Sequence, residues 1–318
     1  MILRDRPTAL QLFFVLRGSI LGRIRAVLIA NVLLAVAVTI AHHALAGHDA
    51  VLVSTIPFTL MGLPLAIFLG FRNSACYDRY WEARKLWGEL LLRSRNLARQ
   101  ALHLIDPPSA TSAPADPRDL ADVRVRLLLR TVAFCTTLKH LLRDRPTDEA
   151  GLDGLLLPGD RQALAGAHNR PATLMLAMGA DLAQCRRDGL LDSVRAAHLD
   201  ATLSGLTAAA ASCERIRNTP LPFAYSLLLH RTAYLYCFLL PFGLVDSIGV
   251  MTPVVVAIVA YTFFGLDMLG DEIEEPFGTQ ANDLPLDAIC RGIEIDMRQA
   301  LGDPAPPPPL EPVDYLLL

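Results

Sequence analysis

Four carboxylates near the end of the last hydrophobic stretch are the residues best placed for metal chemistry: Asp267, Asp271, Glu274 and Glu275. Asp267 and Asp271 are one helical turn apart, so both project from the same face of a helix. A carboxylate metalloenzyme could hold a divalent cation there, but no histidine or cysteine nearby completes a ligand set. We therefore predict no metal at this acidic stripe and interpret it as a hydrated surface that pairs with arginines.

Other catalytic patterns are weak or absent in the sequence. His42 and His43 are adjacent, and neighbouring side chains on a helix point about 100° apart, which makes a shared metal difficult. The six cysteines are scattered, without a Cys-x-x-Cys pair, and are typical of small buried residues in a reduced compartment. The sequence has no zinc-protease, phosphate-loop or nucleophile-elbow motif. We predict that the protein is not an enzyme and needs no cofactor.

The composition favours a membrane protein. Hydrophobic residues make up 53% of the 318 residues and charged residues only 19%, whereas a soluble domain of this length normally carries more charge. The net charge is −3, and no basic run suggests a nucleic-acid partner. A bilayer core is crossed by about 20 apolar helical residues. Four segments fit that length and are predicted to be membrane spans: Ala26–Leu45, Val51–Phe71, Leu227–Val245 and Ser247–Leu266.

Basic residues flank only one side of these spans. The links between spans one and two and between spans three and four contain no Lys or Arg. The basic residues lie before span one and after span two: Arg4, Arg6, Arg17, Arg23, Arg25, Arg72, Arg79, Arg84 and Lys85. The cytoplasmic loops of membrane proteins carry an excess of Lys and Arg. Both termini and the middle of the chain are therefore predicted to be cytoplasmic.

The segments outside the spans show helical periodicity and no sustained alternation. Helices are predicted at 74–105, 119–142, 171–187, 190–217 and 284–300, with a loop at 106–118. The helix of span two continues through Phe71–Arg72 into the cytoplasm. The predicted regions are 1–71 with spans one and two, 72–226 as a helical cytosolic region, 227–267 with spans three and four, 268–300 as a C-terminal helical segment, and 301–318 as a Pro-rich disordered tail.

One face of span two could line a pore. Leu63, Ile67, Gly70 and Phe71 lie at i, i+4, i+7 and i+8, which is one stripe of a helix. The same stripe could equally be packing core. The spans show no internal repeat, and spans two and four have no charge at mid-membrane, which counts against coupled transport. The transport mode left is passive conduction through a symmetric ring of subunits with span two at the axis. A hydrophobic constriction in such a pore closes by losing its water.

Several segments resemble the bestrophin family in its bacterial branch. "IPFTLMGLPLAIFLGFRN" (Ile56–Asn73) is similar to that family's neck helix, and "YDRYWEARKLWG" (Tyr77–Gly88) to its continuation. "RNTPLPFAYSLLLHRTAYLY" (Arg217–Tyr236) resembles the entry to its third span, and "DEIEEPFGTQANDLPLDAIC" (Asp271–Cys290) the segment after its fourth. The resemblance extends from about residue 17 to residue 296, and leaves out the Pro-rich tail and the loop at 106–118.

The resemblance implies a homopentameric, all-helical ion channel with one axial pore. Its neck residues match Leu63, Ile67 and Phe71 here, and its second, cytosolic constriction best matches Val194. The bacterial branch implies monovalent cation (sodium) conduction, whereas animal members conduct anions. Vertebrate members bind calcium in a clasp with a run of acidic residues. This chain has Thr279, Gln280 and Ala281 at the corresponding positions. We therefore expect no calcium activation.

The sequence thus predicts an all-α protein with four transmembrane helices per subunit, continuous with a helical cytosolic layer and assembled around one axial pore. We expect a homopentameric, sodium-selective channel in the bacterial inner membrane, with itself, monovalent ions and the lipid bilayer as partners. The acidic stripe at 267–275 could enrich cations if it faces the lumen, while the basic residues after Phe71 could do the opposite. Two alternatives stay open: a chloride channel of the same fold, and a membrane-anchored helical scaffold or signalling module.

Overall fold

A computed structural model describes residues 1–3, 15, 18–44, 55–106, 116–146 and 150–318, and these form helices connected by turns and loops, without strands. The α-helices are α1 (Leu21–Ala44), α2 (Ile56–Leu104), α3 (Val123–Leu142), α4 (Pro158–Ala165), α5 (Arg170–Arg187), α6 (Ser193–Asn218), α7 (Phe223–Ile248), α8 (Thr252–Glu274) and α9 (Leu286–Ala300). The long helix α2 passes through Phe71–Arg72 without a break, which confirms that span two continues beyond the hydrophobic segment.

Three segments of the described residues are long and apolar enough to cross a membrane: Leu21–Ala44, Ile56–Leu104 and Phe223–Glu274. The last contains two helices, α7 and α8, which are joined by a 3-10 turn at Gly249–Met251 and pack side by side. Gly249 has a φ of 51°, a left-handed conformation that costs glycine little, and Pro253 fits the first turn of α8. The four predicted spans therefore correspond to α1, the first part of α2, α7 and α8.

The two ends of the chain pair with each other. The backbone N–H of Leu3 donates to the carbonyl of Tyr315 at 2.9 Å, and that of Leu317 donates to the carbonyl of Met1 at 2.9 Å. The first and last residues of the chain therefore lie next to each other.

The Pro-rich tail differs from the disordered segment that the sequence predicted. Its last residues pair with the first three residues of the chain, and the carbonyl of Leu318 accepts from the N–H of Ala288 in α9 at 2.8 Å. Arg291 also donates to the carbonyl of Pro308 at 3.1 Å. Prolines cannot donate backbone hydrogen bonds, but their carbonyls and the residues after them still accept and donate, and these contacts order the tail.

The chain divides into two compact units. The membrane unit comprises the described residues of Arg4–Tyr80 together with Pro220–Pro276, and the second unit comprises Met1–Leu3, Trp81–Thr219 and Phe277–Leu318. Helix α2 contributes to both. The divisions at 80/81 and 276/277 lie nine residues after the predicted boundaries at 71/72 and 267/268, and the division at 219/220 lies seven residues before the predicted boundary at 226/227. Arg72 and Arg79 of α2 bond to the end of α8 beyond the apolar segments, which keeps these ends in the membrane unit.

The membrane unit has its own core, which α1, α2, α7 and α8 share. Leu65 and Leu69 of α2 are buried in it beside Ala233 and Cys237 of α7. A Cβ atom at Gly62 would lie 2.8 Å from the Tyr236 hydroxyl, so the Tyr236 side chain of α7 occupies the space over this glycine of α2. The buried face of α2 is thereby fixed within the subunit.

The second unit is built around α3, which is buried along most of its length. Helix α3 begins later than predicted because Asp122 caps it, accepting from the N–H of Arg124 at 2.9 Å. Arg130 is buried and pairs with Asp160 of α4 at 2.8 Å and with Asp181 of α5. Helix α4 was not predicted, since eight residues are too few to show a clear period.

Helix α9 is joined to α3 by one carboxylate. Asp287 accepts from Arg143 at 2.6 Å and pairs with Lys139 at 2.7 Å. Burial alone raises the pKa of Asp287, but the hydrogen bonds from Arg143 and Lys139 outweigh it and lower the pKa below its ordinary value.

Candidate pore neck and the charge cluster behind it

The predicted neck residues lie on the face of α2 that points away from the subunit core. Leu63 is 67% exposed, Ile67 47% and Phe71 63%, whereas Leu65 and Leu69 are almost completely buried. Residues two apart on a helix lie about 200° apart around its axis. Burial of Leu65 and Leu69 therefore places the neck residues on the opposite side of α2. The described residues of the same chain therefore leave this stripe uncovered.

The neck segment has two features that affect its backbone. Pro64 has no N–H and leaves the carbonyl four residues earlier without its helical partner. Gly70 has no atom within 4 Å of the position where a Cβ would lie, so this part of the helix faces open space. The side chains of Leu63, Ile67 and Phe71 together form an uncovered surface of aliphatic and phenyl groups.

A charge cluster lies behind the neck, on the buried side of α2. Arg72 follows Phe71 directly but is only 1% exposed. Its guanidinium donates to the Asp267 carboxylate at 2.8 Å, to Asp271, and lies 3.7 Å from the Glu274 carboxylate. A buried arginine is stable only when its charge is compensated, and three carboxylates of α8 compensate it here.

Two further contacts extend the charge cluster to neighbouring segments. His230 of α7 contacts Asp267 through Nδ1 at 2.7 Å. The Arg79 guanidinium donates to the Glu274 carbonyl at 3.3 Å, and the Glu274 carboxylate accepts from the N–H of Leu221 at 3.0 Å. The cluster therefore ties α2, α7 and α8 together.

The structure changes the interpretation of the predicted acidic stripe. Asp271 and Glu275 are exposed, as expected of a hydrated surface, but Asp267 is buried and Glu274 is mostly covered. Among the described residues, no group of histidines, cysteines and carboxylates could hold a metal ion. The stripe pairs with Arg72, as predicted, and its buried members serve as counter-ions within the subunit.

Sequence reasoning missed the partnership of Arg72, His230 and Asp267. The signal that could have found it is an arginine at the end of a membrane span on the buried side of its helix, since such a charge requires a carboxylate nearby. The separation of 195 residues between Arg72 and Asp267 explains why spacing alone could not identify the partner.

Val194, the predicted second constriction, lies in the first turn of α6 and is 67% exposed. Asp192 caps this helix, accepting from the N–H of Val194 at 2.8 Å and of Arg195 at 2.9 Å. The N–H groups of Arg195 and Val194 lower the pKa of Asp192. The cap holds the start of α6 in place with an apolar side chain directed to its surface.

Comparisons with known proteins agree with this architecture. Residues 1–299 match the family described as "Bacterial/Fungal Bestrophin protein". The voltage-dependent anion channel-forming protein mll4386 of Mesorhizobium japonicum is 44% identical over 96% of this chain and 94% of its own. The voltage-dependent anion channel-forming protein YneE of Escherichia coli K12 is 42% identical over 94% of this chain and 93% of its own.

Solved structures show the same fold. A crystal structure of a bacterial bestrophin homologue from Klebsiella pneumoniae is 38% identical, has a TM-score of 0.79, and covers 87% of this chain and 98% of its own. The helical membrane fold and these channel-forming relatives define the class of the protein, which is an ion channel of the membrane and not an enzyme. Its family follows from the match over nearly the whole chain: the chain belongs to the bacterial and fungal bestrophins.

Proposed function

We propose that the chain assembles as a homopentamer in which five copies of α2 surround one pore, with Leu63, Ile67 and Phe71 forming a hydrophobic neck. The observation that carries this proposal is the exposure of all three residues on the face of α2 opposite the subunit core. Rings of aliphatic and phenyl groups hold water when wide and exclude it when narrow. Such a neck gates monovalent ions without a charged binding site. In this arrangement Val194 forms a second, cytosolic constriction.

We propose that this channel lies in the bacterial inner membrane with both termini in the cytoplasm. The pairing of the two chain ends supports a common side for both, and the excess of basic residues there favours the cytoplasmic side. Arg4, Arg6 and Arg17 contribute to that excess and lie outside the described residues.

The proposed selectivity is for monovalent cations such as sodium, as the resemblance to bacterial bestrophins implies. The arginines that follow Phe71 are the main argument for anions, and the structure weakens it. Arg72 is buried among carboxylates, and Arg79 donates to the Glu274 carbonyl, so both side chains are engaged with α8. Chloride conduction is the second candidate, which the names of the anion channel-forming relatives favour.

Ion flux separates these candidates from a membrane-anchored scaffold. Purified full-length protein is reconstituted in planar bilayers with a gradient of NaCl, beside protein-free bilayers as the control. The proposal expects a current whose reversal potential lies toward the sodium equilibrium potential. A reversal potential toward that of chloride would establish the second candidate. An absence of current from correctly assembled protein would contradict a channel and favour the scaffold.

A further inference from the structure

The exposed stripe of α2 carries a charged residue just beyond the neck. Asp78 lies seven residues after Phe71, which is two helical turns and about 10 Å along the helix axis. Its angular position falls between those of Ile67 and Phe71, and it is exposed like both of them. Ser74, one turn after Phe71, is exposed on the same stripe. The apolar neck surface therefore continues into a polar one that ends in a carboxylate.

The charges next to Asp78 on α2 are directed elsewhere. Arg72 lies on the opposite face and is compensated by Asp267 and Asp271. Arg79 is rotated by about 100° from Asp78 and donates to the Glu274 carbonyl. Asp78 itself forms no ion pair with any residue of the described ranges. It is thus the first charged residue after Phe71 that faces away from the subunit core.

We infer that Asp78 is a selectivity-determining residue of the channel, and that five Asp78 carboxylates surround the cytosolic end of the neck and concentrate monovalent cations there. This inference rests on the proposed arrangement of α2 around the pore. Five unit charges about 10 Å from the neck raise the local cation concentration about threefold at 0.1 M salt, and screening removes nearly all of that gain at 1 M. Glu82, one turn after Asp78, pairs with Arg215 at 2.6 Å. Lys85 lies two turns after Asp78 and is screened more strongly at the neck.

The test compares Asp78→Asn with the wild-type channel in planar bilayers. Asp78→Glu retains the charge, and Glu311→Gln removes one carboxylate from the exposed tail as a matched control. Single-channel conductance and reversal potential are measured at both salt concentrations, and gel filtration checks that each variant assembles. We expect Asp78→Asn to lower the sodium conductance about threefold at 0.1 M and to leave it nearly unchanged at 1 M, with the reversal potential shifted toward that of chloride.

Each outcome bears on the inference. Unchanged conductance and reversal potential in an assembled Asp78→Asn channel would overturn the role of Asp78 and leave the proposed neck intact. An equal loss with Glu311→Gln would also overturn it, because the effect would then not depend on position. An absence of current from the wild type would instead overturn the channel proposal, and the role of Asp78 with it.

Discussion

Replacing Phe71 by alanine tests the neck at the residue with the largest side chain. About two thirds of the Phe71 side chain is exposed, and its ring contact within the neck segment is an edge-on one with Phe68, with centroids 6.4 Å apart. A fully buried phenylalanine contributes about 3 kcal/mol at most. The third that is buried therefore contributes about 1 kcal/mol, so the variant is expected to fold and assemble.

The same substitution should have a large effect on conduction. A phenylalanine side chain presents about 200 Å² of apolar surface, and the exposed fraction of Phe71 places roughly 120 Å² per subunit toward the proposed lumen. At 25 cal/mol per Å² this surface opposes wetting by about 3 kcal/mol per subunit. Alanine removes most of it and widens the throat, so we expect open probability or conductance to rise at least about tenfold.

Phe242→Ala is the matched control for this experiment. Phe242 is 43% exposed and lies on α7, so its loss removes a partly exposed phenylalanine and leaves the neck unchanged. Single-channel recording in planar bilayers compares the two variants with the wild type. Equal currents from wild type and Phe71→Ala would contradict a hydrophobic gate at Phe71, and so would an equal rise in both variants.

Three further predictions concern the second unit and calcium. Arg130→Met leaves the carboxylates of Asp160 and Asp181 without their buried partner, so we expect a loss of about 3 kcal/mol, seen as a lower thermal unfolding temperature; an unchanged temperature would contradict this. Asp287 has a lowered pKa, so its bond with Arg143 stabilises the fold above the unfolded pKa of about 4 and is lost as the pH falls through the folded value. Asp287→Asn should therefore lower the unfolding temperature at neutral pH by the equivalent of about 1 kcal/mol, and the difference from wild type should vanish in acid; a difference independent of pH would argue against it. Micromolar calcium should leave the current unchanged, because the acidic run of the clasp is missing; activation by calcium would disprove this.

The membrane helices could be predicted from sequence because their signal is local. Span two contains no charge, and neither proline nor glycine follows it before Gly88, so the passage of α2 through Phe71–Arg72 needed no tertiary information. The neck stripe was found by spacing, but spacing alone could not distinguish an exposed face from a packed one. That distinction depends on which side of α2 contacts α7 and α8, and only the burial of Leu65 and Leu69 decides it.

Other features depend on contacts between distant parts of the chain. The ion pair between Arg72 and Asp267 joins residues that are 195 apart in the sequence. The sequence predicted only that the acidic stripe pairs with arginines, without identifying which ones. The order in the tail arises from backbone pairing with the first residues of the chain, which a Pro-rich composition conceals. Helix α4 has eight residues, fewer than a periodic pattern needs.

Cysteine substitution along α2 tests whether the stripe of Leu63, Ile67 and Phe71 faces water in the assembled channel. The six native cysteines are all buried, which keeps background labelling low. Cysteine is introduced singly at Ile67 on the exposed stripe and at Leu69 on the buried face, and a charged, membrane-impermeant thiol reagent is added during recording. We expect that modification of Ile67→Cys changes the current at once, while Leu69→Cys does not respond. A silent Ile67→Cys channel whose thiol reacts only with lipid-soluble reagents would place this face against the bilayer and contradict the neck.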